Sequence, residues 1–198
     1  MTFIDTVSED EAGGAVAALY EEDRAAHGYV WNMTRAFSPR PDVLAAWRQL
    51  NAAVRVNLDL RRYELVTIAA ARALRSSYCM LAHGKVLLDE LLAPDELGAL
   101  VADHHAAGLE PVEVAIMDLA EKVVVDATSV TQSDVDGLRE HGLSDPEILD
   151  IVLAAAMRCF LSKTLDAVGA QPDAAFEERI AEPGLRAALA VGRPIADA

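Results

Sequence analysis

The apolar positions of this chain recur at three- and four-residue intervals, and most runs are introduced by residues that suit a helix start. Ser8-Glu-Asp-Glu11 reads as a capping box that opens a helix to about Ala26. Residues 27–40 lose the periodicity: Gly28, the aromatic pair Tyr29 and Trp31, and Ser38-Pro39-Arg40-Pro41 read as an irregular loop. Pro41 suits the first turn of the next helix, which runs to about Val56. Leu60 to Leu74 is a long apolar helix, and Ser77 to Leu92 is another. Pro94-Asp-Glu96 opens a helix ending near Gly108, Pro111-Val-Glu113 one to about Ala127, and Thr131-Gln-Ser-Asp134 a short one to His141. Ser144-Asp-Pro-Glu147 is a second capping box, for a helix to about Val168 that Gly169 and Pro172 stop. Two short helices, split at Glu182-Pro183-Gly184, follow. No stretch alternates with the period of a strand, so the expected fold class is all-α.

The 198 residues suffice for one sizeable core. The division expected is a single domain, residues 1–198, with a helical arm over about 1–58, a core over about 59–108 and a second helical half over about 109–198. Tyr63-Glu-Leu-Val-Thr-Ile-Ala-Ala-Ala and Pro146-Glu-Ile-Leu-Asp-Ile-Val-Leu-Ala are alike, a weak sign of internal duplication. Hydrophobic residues make up 53% of the chain and aromatics only 5%, so the apolar mass is Ala, Leu and Val, which suits close-packed helices. The net charge of −15 repels nucleic acid and anionic membranes, and neither is an expected partner. No export signal opens the sequence. The longest apolar run, about Ile148 to Leu161, is broken by Asp150 and Arg158 and is too short for a membrane span. Two cysteines without such a signal point to a cytoplasmic, reducing location.

The chemistry concentrates where two helices meet. Cys79 and His83 are four residues apart, on one face of a helix. Ser76 and Ser77 suit an N-cap, which places Cys79 in the first turn, where unpaired N–H groups and the helix dipole favour a thiolate. His83 can hydrogen-bond the sulfur or move its proton, and Glu64 can hold the pair in the right protonation state. Plainer readings stand beside these. A free cysteine is usually a packed apolar side chain, and Glu64 can pair with Arg61 or Arg72. Ser76 can be a simple cap or can bond the thiolate. Tyr78 can pack or can orient a peroxide oxygen. Cys159, in an apolar helix interior, reads as a core thiol, with a resolving role open if it approaches Cys79. His104 and His105 could add to Cys79 and His83 as metal ligands. Adjacent histidines on a helix point in different directions, however, and no paired ligand spacing recurs, so no metal is expected. No phosphate loop, dinucleotide fingerprint or other cofactor signal is present.

Glu64, Cys79 and His83 also carry a resemblance. The segment resembles the signature of the AhpD-like alkylhydroperoxidase and carboxymuconolactone decarboxylase superfamily: a Glu, a Cys-x-x-Cys twelve residues later, and a His four residues after the second Cys. Ser76 stands at the first cysteine's place. Gly28-Tyr-Val-Trp-Asn32, Arg40-Pro41-Asp42 and Val191-Gly-Arg-Pro-Ile195 resemble the peroxidase-related branch, so the likeness covers most of the chain. The resemblance implies an AhpD-like helical bundle that forms homo-oligomers, whether dimers, trimers or hexamers. It implies a cofactor-free thiol peroxidase in which Cys79 reduces a hydroperoxide, His83 and Glu64 relay the proton, and Trp31 and Asn32 line or cover the pocket. The reductant is then a small thiol or a dithiol protein. Because Ser76 cannot resolve a Cys79 sulfenate, that step falls to Cys159 or to an external thiol. Two alternatives remain open: a carboxymuconolactone decarboxylase-type enzyme acting on a small acid or lactone, and a non-catalytic oligomeric redox sensor or binding module.

Overall fold

Prolines and caps set most helix boundaries in the computed structural model, which describes residues 2–195. Eleven α-helices follow in order: α1 Gly14–His27, α2 Asn32–Ala36, α3 Pro41–Arg55, α4 Leu60–Ala73, α5 Ser77–Glu90, α6 Pro94–Ala102, α7 Pro111–Asp126, α8 Gln132–Glu140, α9 Asp145–Ala167, α10 Ala174–Arg179 and α11 Pro183–Leu189. One 3₁₀ turn, Ala127–Ser129, links α7 to α8. No strand occurs among the described residues, and the fold is all-α. No described helix is long and apolar enough to cross a membrane.

Proline stands in the first turn of α3, α6, α7, α9 and α11, where its missing N–H costs no helical bond. The Asp59 carboxylate accepts from Arg62 N at 2.9 Å and starts α4. Ser144 and Glu147 form the expected box at α9, with Ser144 N donating to Glu147 Oε2 at 2.8 Å. The Ser144 N–H, its hydroxyl and Arg62 hold the Glu147 carboxyl down at about 2.

Three boundaries differ from the sequence reading. Ser8 Oγ does bond Glu11 Oε2, at 2.7 Å, but as a turn ahead of α1, which begins only at Gly14. Glu9 is drawn instead to Arg24, at 2.5 Å, and to Arg35, so this segment folds back along α1 rather than extending it. The 27–40 loop contains the short helix α2. Helix α6 stops at Ala102 rather than near Gly108, because His104 turns inward and is fully buried against Arg72 and Asp118.

Helix α4 is the hub, packed against α5, α7 and α9. Leu65, Val66, Ile68 and Ala69 to Ala71 are all buried, so α4 has almost no solvent face over this stretch. The small alanines let its neighbours approach closely, and any polar group on this stretch must find a partner inside the bundle. Glu64 is such a group. Glu147, its counterpart in the internal likeness, has a different part, capping the first turn of α9 and pairing with Arg62 at 3.0 Å.

Candidate functional site

The joint between α4 and α5 is built from residues that hold it tight. Arg75 takes a left-handed conformation (φ 56°), Ser76 returns to extended backbone, and α5 starts at Ser77. Cys79 therefore lies in the first turn of α5, as the spacing predicts. The capping expectation for Ser76 fails. The residue occupies the N-cap position, but its hydroxyl bonds neither the helix nor the thiol; it is buried beside Asp166, whose carboxyl it draws down against the rise from burial. Ser77 is used differently again: its Oγ donates to Arg193 O at 2.9 Å and accepts from Gly192 N at 3.0 Å. This pins the C-terminal segment across the joint. A Cβ on Gly192 would fall 1.6 Å from the Arg75 carbonyl oxygen, so the close approach requires glycine.

A chain of polar contacts crosses from α4 through α5 to α9. Glu64, only 2% exposed, meets His83 Nδ1 at 2.7 Å, with Thr67 Oγ1 3.3 Å from the same nitrogen. On the other side of the ring, Arg158 Nη1 donates to His83 Nε2 at 2.9 Å. A guanidinium has no lone pair to offer, so Nε2 must be the acceptor, and the imidazole proton sits on Nδ1, where Glu64 accepts it. Arg158 is itself buried on α9; its Nη2 lies 3.4 Å from the Tyr63 hydroxyl and its Cζ 5.4 Å over the Trp47 ring. Arg61 and Arg72, the plainer partners for Glu64, are engaged by Glu113 and Glu121 instead.

The thiol has its own partner. Ser162 Oγ, also on α9, donates to Cys79 Sγ at 3.1 Å, and Cys79 is 2% exposed. The expected His83-to-sulfur bond is not formed, since both ring nitrogens are engaged by Glu64 and Arg158. Spacing of four residues puts the two side chains on one face of α5, and the neighbouring helices then draw them apart. Arg158 and Ser162 were missed by sequence reasoning. Their signal was available: they are four residues apart, hence on one face, in an otherwise apolar stretch.

Cys79, Glu64, His83 and Arg158 all line one cavity of about 430 Å³, which Trp31, Trp47, Tyr63 and Tyr78 help to wall. Trp31 lines the cavity and stacks on His27 at 4.2 Å between ring centres. Asn32 is not: its backbone N–H donates to Asp173 Oδ1 at 2.8 Å and its amide to Gln171 O at 3.1 Å, so it braces the loop before α10. The Tyr78 ring faces the cavity, but its hydroxyl is committed, donating to Asp173 Oδ2 at 2.6 Å and accepting from Met33 N at 3.1 Å. Burial and the adjacent Asp173 push the phenol well above its ordinary value, so it remains a donor to Asp173 and is not free to orient a peroxide. Cys159 is half-buried and does not line the cavity. Arg158 and Ser162 share the inward face of α9, and Cys159 is turned about 100° from Arg158 around the helix. A resolving role inside one chain therefore lacks the required approach.

His104 and His105 also depart from expectation. They lie beyond the end of α6, and their rings come together, 4.0 Å between centres, with both Nε2 atoms within 2.9 Å of Asp118 Oδ1. Asp103 offers a further oxygen to the pair. The Arg72 guanidinium donates to His104 Nδ1 at 3.2 Å, which puts the proton on Nε2, facing Asp118. So protonated, His104 has no lone pair left for a metal ion.

Residues 41–122 match the sequence model of the carboxymuconolactone decarboxylase family, a stretch that contains Glu64, Cys79 and His83. The fold is similar to that of an alkylhydroperoxidase AhpD core, an uncharacterized peroxidase-related protein from Ralstonia eutropha JMP134 (TM-score 0.81, 23% identity, covering 88% of this chain and 94% of that one). A second uncharacterized peroxidase-related protein, from Silicibacter sp. TM1040, is similar at TM-score 0.72 and 20% identity, covering 88% of this chain and 90% of its own. A cysteine-to-alanine variant of the debrominase Bmp8, in complex with 2,3,4-tribromopyrrole, is similar at TM-score 0.75 and 14% identity, covering 92% and 97%. No curated protein matches the chain in sequence.

Proposed function

We propose that this chain, whose residues 41–122 match the sequence model of the carboxymuconolactone decarboxylase family and whose fold is the AhpD-like one, is a cofactor-free hydroperoxidase acting through the thiol of Cys79. The observation that carries this reading is that the Cys79 sulfur and the Glu64–His83–Arg158 chain open on one cavity. The fold alone does not choose a reaction, since a debrominase shares it.

In this mechanism the Ser162 hydroxyl and the first-turn N–H groups of α5 favour negative charge on sulfur. The thiolate attacks the distal oxygen of the hydroperoxide, the O–O bond breaks, and Cys79 becomes a sulfenic acid. The departing alkoxide takes a proton and leaves as an alcohol. Once Arg158 has released it, His83 Nε2 takes the proton that Cys79 gives up on forming the thiolate and hands it to the departing alkoxide, while Nδ1–H stays on Glu64. Ser76 carries no thiol and Cys159 lies outside the cavity, so an external thiol closes the cycle. A reducing, cytoplasmic setting supplies such thiols. Exposed Leu50, Leu153 and Phe160, beside a groove of about 620 Å³ between α3 and α9, suit packing against a second copy in a homo-oligomer.

One observation favours a second reading. The Glu64–His83 pair is complete without the thiol, as proton transfer at the carbon of a small acid or lactone would need. The two separate on titration of the reduced protein with hydroperoxide, reading Cys79 by intact mass and a sulfenate trap. The hydroperoxidase oxidises at Cys79 far faster than a free thiol and turns over when a thiol is added. Oxidation no faster than a free thiol, with an activity lost in His83→Ala but kept in Cys79→Ser, establishes the proton-transfer enzyme instead.

A further inference from the structure

With Asp and Glu numbering 32 against 17 Lys and Arg, most arginines of this chain are held by carboxylates, Arg48, Arg61, Arg62 and Arg72 among them. Two that line the cavity are not. Among the described residues, Arg158 touches only neutral partners: His83, the Tyr63 hydroxyl and the Trp47 ring. Its Nε is buried with no partner at all, and the residue is 3% exposed. Arg55 lies over the face of the same Tyr63, 4.6 Å from its centre, and has no ion pair among the described residues. Arg158, withdrawn from water without a direct counter-ion, carries a cost that an entering anion relieves, whereas Arg55 is exposed and adds only its charge. The Glu64 charge offsets only part of that cost, because the ring of His83 stands between its carboxylate and Arg158.

The geometry points to a small organic thiol carrying a carboxylate as the reductant of Cys79, drawn into the cavity by Arg158 and Arg55. This rests on the hydroperoxidase reading above, which leaves the sulfenate without a thiol of its own chain. Size and charge both enter. Cys79 is 2% exposed beside a cavity of about 430 Å³, which suits a small molecule and excludes the thiol of a folded protein. Glu22 and Asp23 also line the cavity but are paired with Arg48, so Arg158 and Arg55 are left to favour a carboxylate among small molecules, with Arg capable of a two-point grip. The thiol sulfur attacks the sulfenic sulfur, hydroxide leaves and takes up the thiol proton as water, and a mixed disulfide remains on Cys79. A second molecule of the thiol attacks that disulfide, freeing the Cys79 thiol and releasing the symmetrical disulfide.

The test uses the full chain carrying Cys159→Ser and probes of matched size. Dithiodipropionate, bis(hydroxyethyl) disulfide and cystamine differ in charge and load Cys79 directly, without peroxide. Mercaptopropionate, mercaptoethanol and cysteamine do the same for reduction of the sulfenate. Each rate is divided by that of the same probe with a free cysteine peptide. The expected result is an anionic probe faster than the cationic one by on the order of tenfold or more in both series, as one added ion pair produces. Arg158→Gln and Arg55→Gln reduce that ratio toward one, and Arg158→Lys retains part of it. Arg55 is exposed, so its variant reports even where Arg158→Gln fails to fold. Equal rates across the charge series, or a ratio unmoved in Arg55→Gln, overturn the proposal. So does a charge preference confined to the hydroperoxide, tested with a carboxylated hydroperoxide against its methyl ester, since the arginines then serve the oxidant. A clear anion preference with the disulfides but no peroxide oxidation sinks the hydroperoxidase reading and leaves the carboxylated-thiol site standing.

Discussion

Glu64 Oε2 and His83 Nδ1 stand 2.7 Å apart although nineteen residues separate them along the chain. The contact joins α4 to α5 and sets the imidazole tautomer, because Arg158 occupies the opposite nitrogen. The carboxylate and the ring therefore act as one unit. Glu64→Gln and His83→Ala are each expected to slow peroxide oxidation of Cys79 by about 10²-fold, with the double variant little worse than the slower single one. Stopped-flow oxidation rates around this cycle check it; multiplied losses would mean the two act independently.

Ser76 sits buried at the N-cap of α5, three residues before Cys79, with no capping bond to the helix. Ser76→Cys exchanges a small buried hydroxyl that caps nothing for a less polar thiol, and stability is expected to stay within about 1 kcal/mol. Mild oxidation then forms a disulfide with Cys79, seen as loss of two hydrogens in the intact mass and reversed by dithiothreitol. A Ser76→Cys protein that keeps two free thiols under oxidant would show that the joint holds the two sulfur atoms too far apart.

Gly192→Ala drives a methyl group into the Arg75 carbonyl. The backbone there cannot yield as a flexible side chain would, so residues 191–193 come off Ser77. The expected signs are a loss of about 2 kcal/mol or more in stability, faster hydrogen exchange at the start of α5, and faster alkylation of Cys79. Exchange at α5 that matches the parent chain while the tail alone exchanges faster would separate the tail from the thiol.

Asp173 gives a pH dependence of known sign. Burial, the largest influence, raises its carboxyl above the usual range, against the lowering bonds from Tyr78 and Asn32. The folded chain therefore keeps a proton that the unfolded chain loses first. Stability from this group is full below the unfolded value, near 4, and declines as pH rises through the folded value. The unfolding free energy of the parent chain minus that of Asp173→Asn, from denaturant titrations, should fall across that window, with a slope of at most about 1.4 kcal/mol per pH unit. A difference that rises with pH would mean the pair with Tyr78 outweighs burial.

The helix order and the placing of Cys79 were legible because both depend on local rules. Pro41, Pro111 and the Ser144–Glu147 box act within one turn of themselves, and the structure keeps them. Ser8–Glu11 obeys the same local rule but is overridden, since Arg24 and Arg35 draw Glu9 away. Spacing put Cys79 and His83 on one face of α5, whereas the place of Glu64 beside His83 was implied by the resemblance and is a contact between two helices. Spacing could not show that Ser162 takes the sulfur and Arg158 the imidazole, because both come from α9, some eighty residues on. Asn32 and Cys159 illustrate the converse: right in composition for a pocket or a redox partner, they are turned elsewhere by Asp173 and by the angular step of α9.

The clasp of Ser77 on Gly192 and Arg193 also has a meaning in time. Synthesis runs from α5 onward for more than a hundred residues before the clasp's other half exists, and Ser162 arrives nearly as late. During that interval the thiol has neither its hydroxyl donor nor a fastened joint beside it. Until residues 162–193 have been made, the nascent chain carries Cys79 without either contact.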